Sequence, residues 1–225
     1  MVMQPLRRAF HQELELLEWR AWDLGTMVKA ATESAVEALS HGDVVAGQRV
    51  DEADAQVNCL RRELEERALL LIATQQPAAS DLRRLVAVLH LATDLERMGD
   101  YAAGIGRICV AIGHQPDAEL LDGIVEMAER AIAMLDRALD ALARRDVEAA
   151  QRVALEDDAV DARYHQLSAQ LLERMVGDTS LIEDGTHLLW VAHNLERVAD
   201  RVQNLCSRVS FATTGRTDLR RRGAA

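Results

Sequence analysis

Residues 94–100 read DLERMGD, and residues 194–200 read NLERVAD. The same Leu-Glu-Arg, with an Asp three residues after the Arg, therefore occurs twice at an offset of 100 residues. Around each copy, apolar residues recur at alternating spacings of three and four, from 88 to 109 and from 188 to 209, as in packed helical bundles. The Glu and the Asp of each copy lie outside this apolar stripe. They are four residues apart, and like charges at that spacing destabilise a helix by about 0.2–0.5 kcal/mol per pair. The segment predicts two long helices that each carry an acidic pair in need of a counter-charge.

A second internal match extends the repeat to most of the chain. Residues 43–54, DVVAGQRVDEAD, match residues 146–157, DVEAAQRVALED, at 7 of 12 positions. The offset is now 103 residues, so the two repeat units differ by three residues at one turn. Strand-like alternation of useful length is absent from the sequence. We therefore expect two homologous units built from the same helices.

Short breaks in the helical periodicity set the expected boundaries, at residues 41–43, 74–80, 113–117 and 176–180. The predicted N-terminal caps are Asp43, Ser80 and Asp146, together with a capping box formed by Ser180 and Glu183. The predicted fold is all-α, with six long antiparallel helices of roughly 30 residues each. These helices form two tandem pseudo-symmetric three-helix bundles, over 1–115 and 116–214, followed by a flexible basic tail over 215–225.

Composition narrows the class of partner. The 225 residues carry 26 Lys and Arg against 37 Asp and Glu, a net charge of −11, which disfavours nucleic acid and anionic membrane. No segment approaches 18 uncharged apolar residues, and the first residues lack a secretory leader pattern. Three widely spaced cysteines without CxxC spacing fit reduced thiols. These observations predict a cytoplasmic protein without direct membrane insertion.

The hairpin turns bring the acidic residues of successive helices to the same height, because residues equidistant from a short turn face each other in antiparallel helices. The turn at Pro77 places two residues of the second helix level with two of the third, which defines a first cluster: Asp54, Asn58, Glu96 and Asp100. The turn at 178–179 defines a second cluster in the same way: Asp157, Asp161, Glu196 and Asp200. Each hairpin thus gathers two pairs of oxygen-bearing side chains.

Clustered carboxylates that are partly removed from water cost several kcal/mol unless they are compensated. Three interpretations remain open at this point: a bound cation, pairing with Arg97 and Arg197, and a plain solvated helix face. All-oxygen clusters suit Mg²⁺, Ca²⁺ or Mn²⁺, carboxylates also hold iron, and no Cys or paired His spacing indicates structural zinc. His193, three residues before Glu196, is a further candidate ligand of the second cluster.

These motifs resemble the PhoU family, accessory regulators of bacterial phosphate uptake. The resemblance rests on the doubled LER segments, on the QPAASDLR segment at 76–83 and on the paired segments at 54–58 and 157–161. It implies two pseudo-symmetric three-helix bundles, each with a pair of E(D)xxxD motifs able to hold multinuclear iron or other divalent-metal clusters. Carried over to this chain, the metal ligands are the members of the two clusters, with Fe, Mg, Mn and Zn all open. Asn58 departs from the Asp of its motif, which leaves the first cluster one charge short.

The resemblance also implies a function. Such a protein is a non-catalytic negative regulator of the phosphate-starvation response, a homodimer in the cytoplasm that associates peripherally with membrane complexes. Its expected partners are the ATPase of the phosphate ABC transporter and a sensor histidine kinase. The alternatives are a metal-free helical scaffold and a carboxylate-bridged di-metal oxidase. The oxidase is disfavoured because both LER segments lack the Glu-x-x-His arrangement of that class.

Overall fold

The computed structural model describes residues 3–217, with side chains from residue 7 onward. Within these residues every regular element is helical, which confirms the all-α prediction. The helices are α1 Met3–His41, α2 Val44–Gln75, α3 Ala79–Ile112, α4 Ala118–Arg144, α5 Val147–Ala154, α6 Asp157–Gly177 and α7 Ile182–Thr214. None of these helices is long and apolar enough to cross a membrane. Most of the tail predicted over 215–225 lies outside the described residues.

Two bundles share one interface. Helices α1 to α3 pack as the first bundle, and α4 to α7 as the second, with α5 and α6 together taking the place of α2. The two helices with the LER segments, α3 and α7, pack against each other between the bundles. Their predicted apolar stripes are buried from Val88 to Cys109 and from Leu188 to Val209. The tandem pseudo-symmetric bundle predicted from the repeat is therefore the observed fold.

Two of the predicted caps are present and two are not. Asp43 and Asp146 accept hydrogen bonds from the backbone N–H groups three residues later, both at 2.9 Å. Ser80 is not a cap, because the extended Ala78 (ψ 164°) precedes a helix that already begins at residue 79. The predicted capping box is also wrong. Instead, Oδ1 of Asp178 accepts hydrogen bonds from the backbone N–H of Ser180 at 2.9 Å and from the Ser180 hydroxyl at 2.7 Å. Asp178 thereby caps a short 3₁₀ turn that precedes α7.

The fifth predicted helix is interrupted, and this break positions the second cluster. The N–H groups of Leu155 and Glu156 bond to carbonyls three residues back, at 3.2 and 3.0 Å, which tightens the chain at that point. Leu155 turns outward, and Glu156 forms an ion pair with Arg137 of α4. A new helix then begins at Asp157. In the first bundle the corresponding helix α2 runs through this position unbroken.

Ion pairs centred on Glu18 also connect the two bundles. Glu18 of α1 accepts Nε and Nη2 of Arg84 at 2.7 Å each, a bidentate pair between α1 and α3. The same carboxylate accepts Nη2 of Arg145 at 2.7 Å, and Arg145 is the left-handed residue (φ 54°) that ends α4. Charge-assisted bonds of this kind are stronger than neutral ones. Glu18 therefore ties the end of the second bundle's first helix to the first bundle.

Candidate metal centre

The second cluster lies in the groove between α6 and α7. Asp157, Asp161 and Asp200 each place one carboxylate oxygen so that all three atoms lie within 4.8 Å of one another. Asp157 and Asp161 follow each other by one turn at the start of α6, while Asp200 projects from α7. Among the described residues, this is the one group of three such side chains with that spacing. Three convergent carboxylates on two helices are a chelating arrangement.

Several oxygens of the second cluster are buried without a hydrogen-bond partner among the described residues. They are Asp157 Oδ1, Asp161 Oδ1 and Glu196 Oε2. Asp157 is only 6% exposed, and its other oxygen accepts Nε2 of Gln203 at 3.3 Å. A buried acceptor left unsatisfied costs about 1–3 kcal/mol, and more when it is charged. The donor set and the unsatisfied oxygens fit a cation with oxygen ligands.

The charges of the second cluster repel one another. Burial, and then the neighbouring Asp161 and Asp200, raise the pKa of Asp157 from its ordinary 3.8 to about 6. Burial, followed by Asp200, also raises the pKa of Glu196. Arg197 offsets only part of this charge. Its Nη1 lies 3.2 Å from an oxygen of Asp200, whereas Asp157 Oδ1, Asp161 Oδ1 and Glu196 Oε2 have no hydrogen-bond partner among the described residues. Arginine pairing alone therefore leaves the cluster uncompensated.

The first cluster is arranged differently. Nδ2 of Asn58 donates a hydrogen bond to Oδ2 of Asp54 at 2.6 Å. This Asp54 oxygen, a potential cation ligand, is therefore already hydrogen-bonded. Oδ1 of Asp54 is buried without a hydrogen-bond partner among the described residues and points toward Gly99, 3.1 Å from where a Cβ would stand. Burial, and then Asp100, raise the pKa of both Asp54 and Glu96. The structure thus brings these four residues near one another, with less negative charge and an internal hydrogen bond.

Two side chains at the second cluster, Gln203 and His165, were not predicted from the sequence. Gln203 contacts Asp157, and His165 lies one turn beyond Asp161 on the same face of α6. The predicted register is wrong by three residues: counting from the turn at 178–179 places Asp200 level with Asp157, whereas Gln203 contacts Asp157 and the close approach of Met175 to Gly185 shows the same shift. Nδ1 of His193, the further candidate ligand, lies 3.6 Å from Oε2 of Glu196.

A comparison of this chain with known protein families finds the same tandem repeat. The model of the PhoU domain matches this chain twice, at residues 22–109 and at residues 124–209. The chain belongs to the PhoU family. Each of the two matched ranges contains one complete acidic cluster, and the pair of matches follows the tandem repeat of the sequence. The family resemblance drawn from the LER segments is therefore confirmed.

Curated relatives of the PhoU family match along nearly their whole length. A protein of Escherichia coli named phosphate-specific transport system accessory protein PhoU is 33% identical over 206 residues, which cover 92% of this chain and 86% of that protein. A homolog of that accessory protein in Rhizobium meliloti is 33% identical over 208 residues, covering 92% of this chain and 88% of the homolog.

Solved PhoU structures share the fold. A crystal structure of PhoU from Pseudomonas aeruginosa superposes with a TM-score of 0.87 at 31% identity, covering 92% of this chain and 99% of that one. The phosphate transport system regulatory protein PhoU from Streptococcus pneumoniae gives a TM-score of 0.86 at 29% identity, with 93% and 99% covered. The two bundles and their mutual packing are thus those of PhoU proteins.

Proposed function

We propose that this chain regulates phosphate uptake and the phosphate-starvation response as a non-catalytic cytoplasmic adaptor. The observation that carries the proposal is the double PhoU match together with relatives, named as accessory proteins of phosphate transport, that align over nearly their whole length. In this proposal the chain holds the starvation response off when phosphate is plentiful. It acts as a homodimer on two membrane-associated partners, the ATPase of the phosphate ABC transporter and a sensor histidine kinase.

The adaptor role is supported by the shape and charge of the molecule. The long helices α1 and α2 span 39 and 32 residues, and exposed residues along both of them offer extended faces for docking. A net charge of −11 favours basic protein surfaces over nucleic acid. A catalytic role has no comparable support, since the sequence lacks a phosphate-binding loop and a nucleophile-elbow motif.

Metal binding is the second element of the proposal. Asp157, Asp161 and Asp200 would hold a divalent metal or iron between α6 and α7, with Glu196 as a fourth oxygen ligand. The buried oxygens without partners support this assignment, because a cation would satisfy them and offset their mutual repulsion. The bound ion would fix the spacing of the two helices. The first cluster is the weaker site of the two, because Asn58 supplies a hydrogen-bond donor where its motif has a carboxylate.

We expect untagged protein purified without chelator to contain metal, and two matched variants to differ in how much they keep. Replacing Glu196 and Asp200 by alanine removes two oxygen ligands from the second cluster and should abolish most of the bound metal. Replacing Glu96 and Asp100 makes the equivalent change in the first cluster and should remove little. Elemental analysis of the three proteins, with circular dichroism as a check of helicity, measures this. Equal metal in all three, or none in the native protein, would contradict the assignment.

The regulatory role is tested in the host. Deleting the chain should leave phosphate-starvation genes expressed even in phosphate-rich medium, and a plasmid copy of the native chain should restore repression. A deletion strain whose starvation genes still respond normally to phosphate would refute the role. A plasmid copy with Glu196 and Asp200 replaced by alanine separates the two elements of the proposal. Full repression by this variant would identify a metal-free scaffold, whereas lost repression by a folded variant supports metal-dependent regulation.

A further inference from the structure

Three arginines that belong to neither acidic cluster lie where α3 and α7 pack between the bundles. Nη1 of Arg201 on α7 lies 3.4 Å from Oδ1 of Asp94 on α3, and these side chains are only 18% and 11% exposed. Further along the same contact, Arg83 of α3 packs on Gly215, the residue after α7, because a Cβ there would stand 3.5 Å from Nε of Arg83. The two contacts mark one line along the antiparallel pair of helices.

The third arginine, Arg208, lies on this line between the two contacts. It is seven residues from Arg201 and seven from Gly215, and seven residues are close to two turns, so all three share one side of α7. Arg208 is therefore placed over the part of α3 that lies between the two contacts, where His90 stands one turn before Asp94. The pKa of His90 agrees with this placement, since burial and then the charge of Arg208 lower it.

These arginines carry more hydrogen-bond donors than the described part of the chain satisfies. Nε of Arg83, Arg201 and Arg208 is in each case buried and without a hydrogen-bond partner among the described residues. The hydrogen bond from Arg201 to Asp94, at 3.4 Å, is longer than the about 2.7–2.9 Å of a strong charge-assisted bond. A guanidinium group has five N–H donors and no acceptor, and leaving a buried donor unpaired is unfavourable. Three such groups beside one carboxylate form a basic site on a chain whose net charge is −11.

We propose that Arg201 and Arg208 bind inorganic phosphate beside Asp94, in the contact between α3 and α7. Guanidinium groups match the oxygens of such an anion with paired hydrogen bonds, and Arg83 adds positive charge further along the line. Asp94 sets the selectivity, because a protonated phosphate can donate its P–OH to the carboxylate, whereas sulfate has no proton to donate at neutral pH and is repelled. This inference goes beyond the proposed function, which requires no direct contact with phosphate, and it does not depend on the metal site.

The internal repeat provides a comparison within the same pair of helices. At the offset of 100 residues, the positions equivalent to Arg201, Arg208 and Asp94 hold three uncharged residues: Tyr101, Ile108 and Asn194. Asn194 nevertheless packs closely on α3, since its Nδ2 lies 3.0 Å from where a Cβ at residue 104 would stand. The helices thus pack in this half without charge at these positions. Helix packing alone therefore does not account for the arginines of the other half.

The test is isothermal titration calorimetry with inorganic phosphate, and separately with sulfate, on full-length protein in EDTA, where phosphate cannot bind through a metal. The variant carries Arg201→Gln and Arg208→Gln. The matched control carries Arg144→Gln and Arg152→Gln, two exposed arginines of the second bundle, and changes the net charge equally. We expect the native chain and the control to bind one phosphate each, and the Arg201/Arg208 variant to bind it at least about tenfold more weakly. Unchanged phosphate affinity in this variant, an equal loss in the control, or no binding by the native chain would overturn the site.

Asp94→Asn is a second, independent test, because it keeps the size of the side chain and removes its charge. The native chain should prefer phosphate to sulfate, and this variant should bind sulfate at least about tenfold more tightly than the native chain does. Circular dichroism verifies that each variant is folded. Sulfate affinity that is unchanged in Asp94→Asn, or equal affinity of the native chain for both anions, would overturn the role of Asp94. A native chain that binds no phosphate in EDTA but represses the starvation genes in its host would overturn this inference and leave the proposed function standing.

Discussion

Replacing Gly106 by alanine is expected to destabilise the protein by about 2–3 kcal/mol. Gly106 of α3 lies against Gly47 of α2, and a Cβ at residue 106 would stand 2.6 Å from the carbonyl oxygen of Gly47. The atom in the way belongs to a helix backbone, so it cannot rotate aside as the end of a side chain would. The helices would have to separate, which loosens the packing above and below this contact. Urea unfolding followed by circular dichroism in EDTA measures the change.

A matched substitution separates this clash from the general effect of adding a methyl group. Gly177 ends α6 with a helical backbone, and a Cβ there would meet no described atom within 4 Å. Gly177→Ala should therefore leave stability unchanged or raise it by up to about 1 kcal/mol, since alanine favours helix over glycine. If both variants unfolded at the same urea concentration, the close approach of α2 and α3 at Gly47 and Gly106 would not limit packing.

The helices and the register of the first hairpin could be predicted from sequence because they depend on local patterns. Stripes with alternating spacings of three and four define a buried helix face, and Asp43 and Asp146 mark helix starts through short-range hydrogen bonds. The turn at Pro77 then sets the register of its hairpin. Asp54 lies near enough to Asp100 for the charge of Asp100 to raise the pKa of Asp54. Local chemistry and chain geometry suffice for these features.

The break before Asp157 could not be predicted, because it depends on a contact between distant residues. Residues 146–157 match 43–54, and the first copy of this segment is one unbroken helix. The difference involves Glu156, which pairs with Arg137 of another helix, and Leu155, which turns to the surface. The place of His165 was missed for a related reason. Its position relative to the residues of α7 depends on how α6 and α7 pack, which no local pattern specifies.

Replacing Asp157 by asparagine is expected to stabilise the metal-free protein by about 1–3 kcal/mol at pH 7.5, because it removes a buried charge that its neighbours repel. Asp157 has a pKa of about 6 in the folded protein, against an ordinary 3.8, and each pKa unit corresponds to about 1.4 kcal/mol. Part of the gain is lost because a carboxylate in the first turn of a helix interacts favourably with the helix dipole. Urea unfolding in EDTA, compared between the variant and the native chain, measures the difference.

The pH dependence of this difference follows from the direction of the shift. Between pH 3.8 and about 6 the folded state holds a proton on Asp157 that the unfolded state has released. Lowering the pH through this window therefore stabilises the native metal-free protein, and its destabilising contribution is complete only above about pH 6. Asparagine has no such proton. The advantage of the variant should accordingly be largest at pH 7.5 and should shrink by most of its value at pH 4.5.

The neighbouring Asp158 provides the control, since it is exposed in the same turn of α6. Asp158→Asn should change stability by no more than about 0.5 kcal/mol at either pH. A metal that binds the folded native chain adds stability according to its concentration and affinity. With saturating metal the order should therefore reverse, and the native protein should become more stable than Asp157→Asn. A variant that remained less stable than the native chain in EDTA at pH 7.5 would show that Asp157 stabilises the fold without a cation, and that the unsatisfied oxygens of the second cluster do not require one.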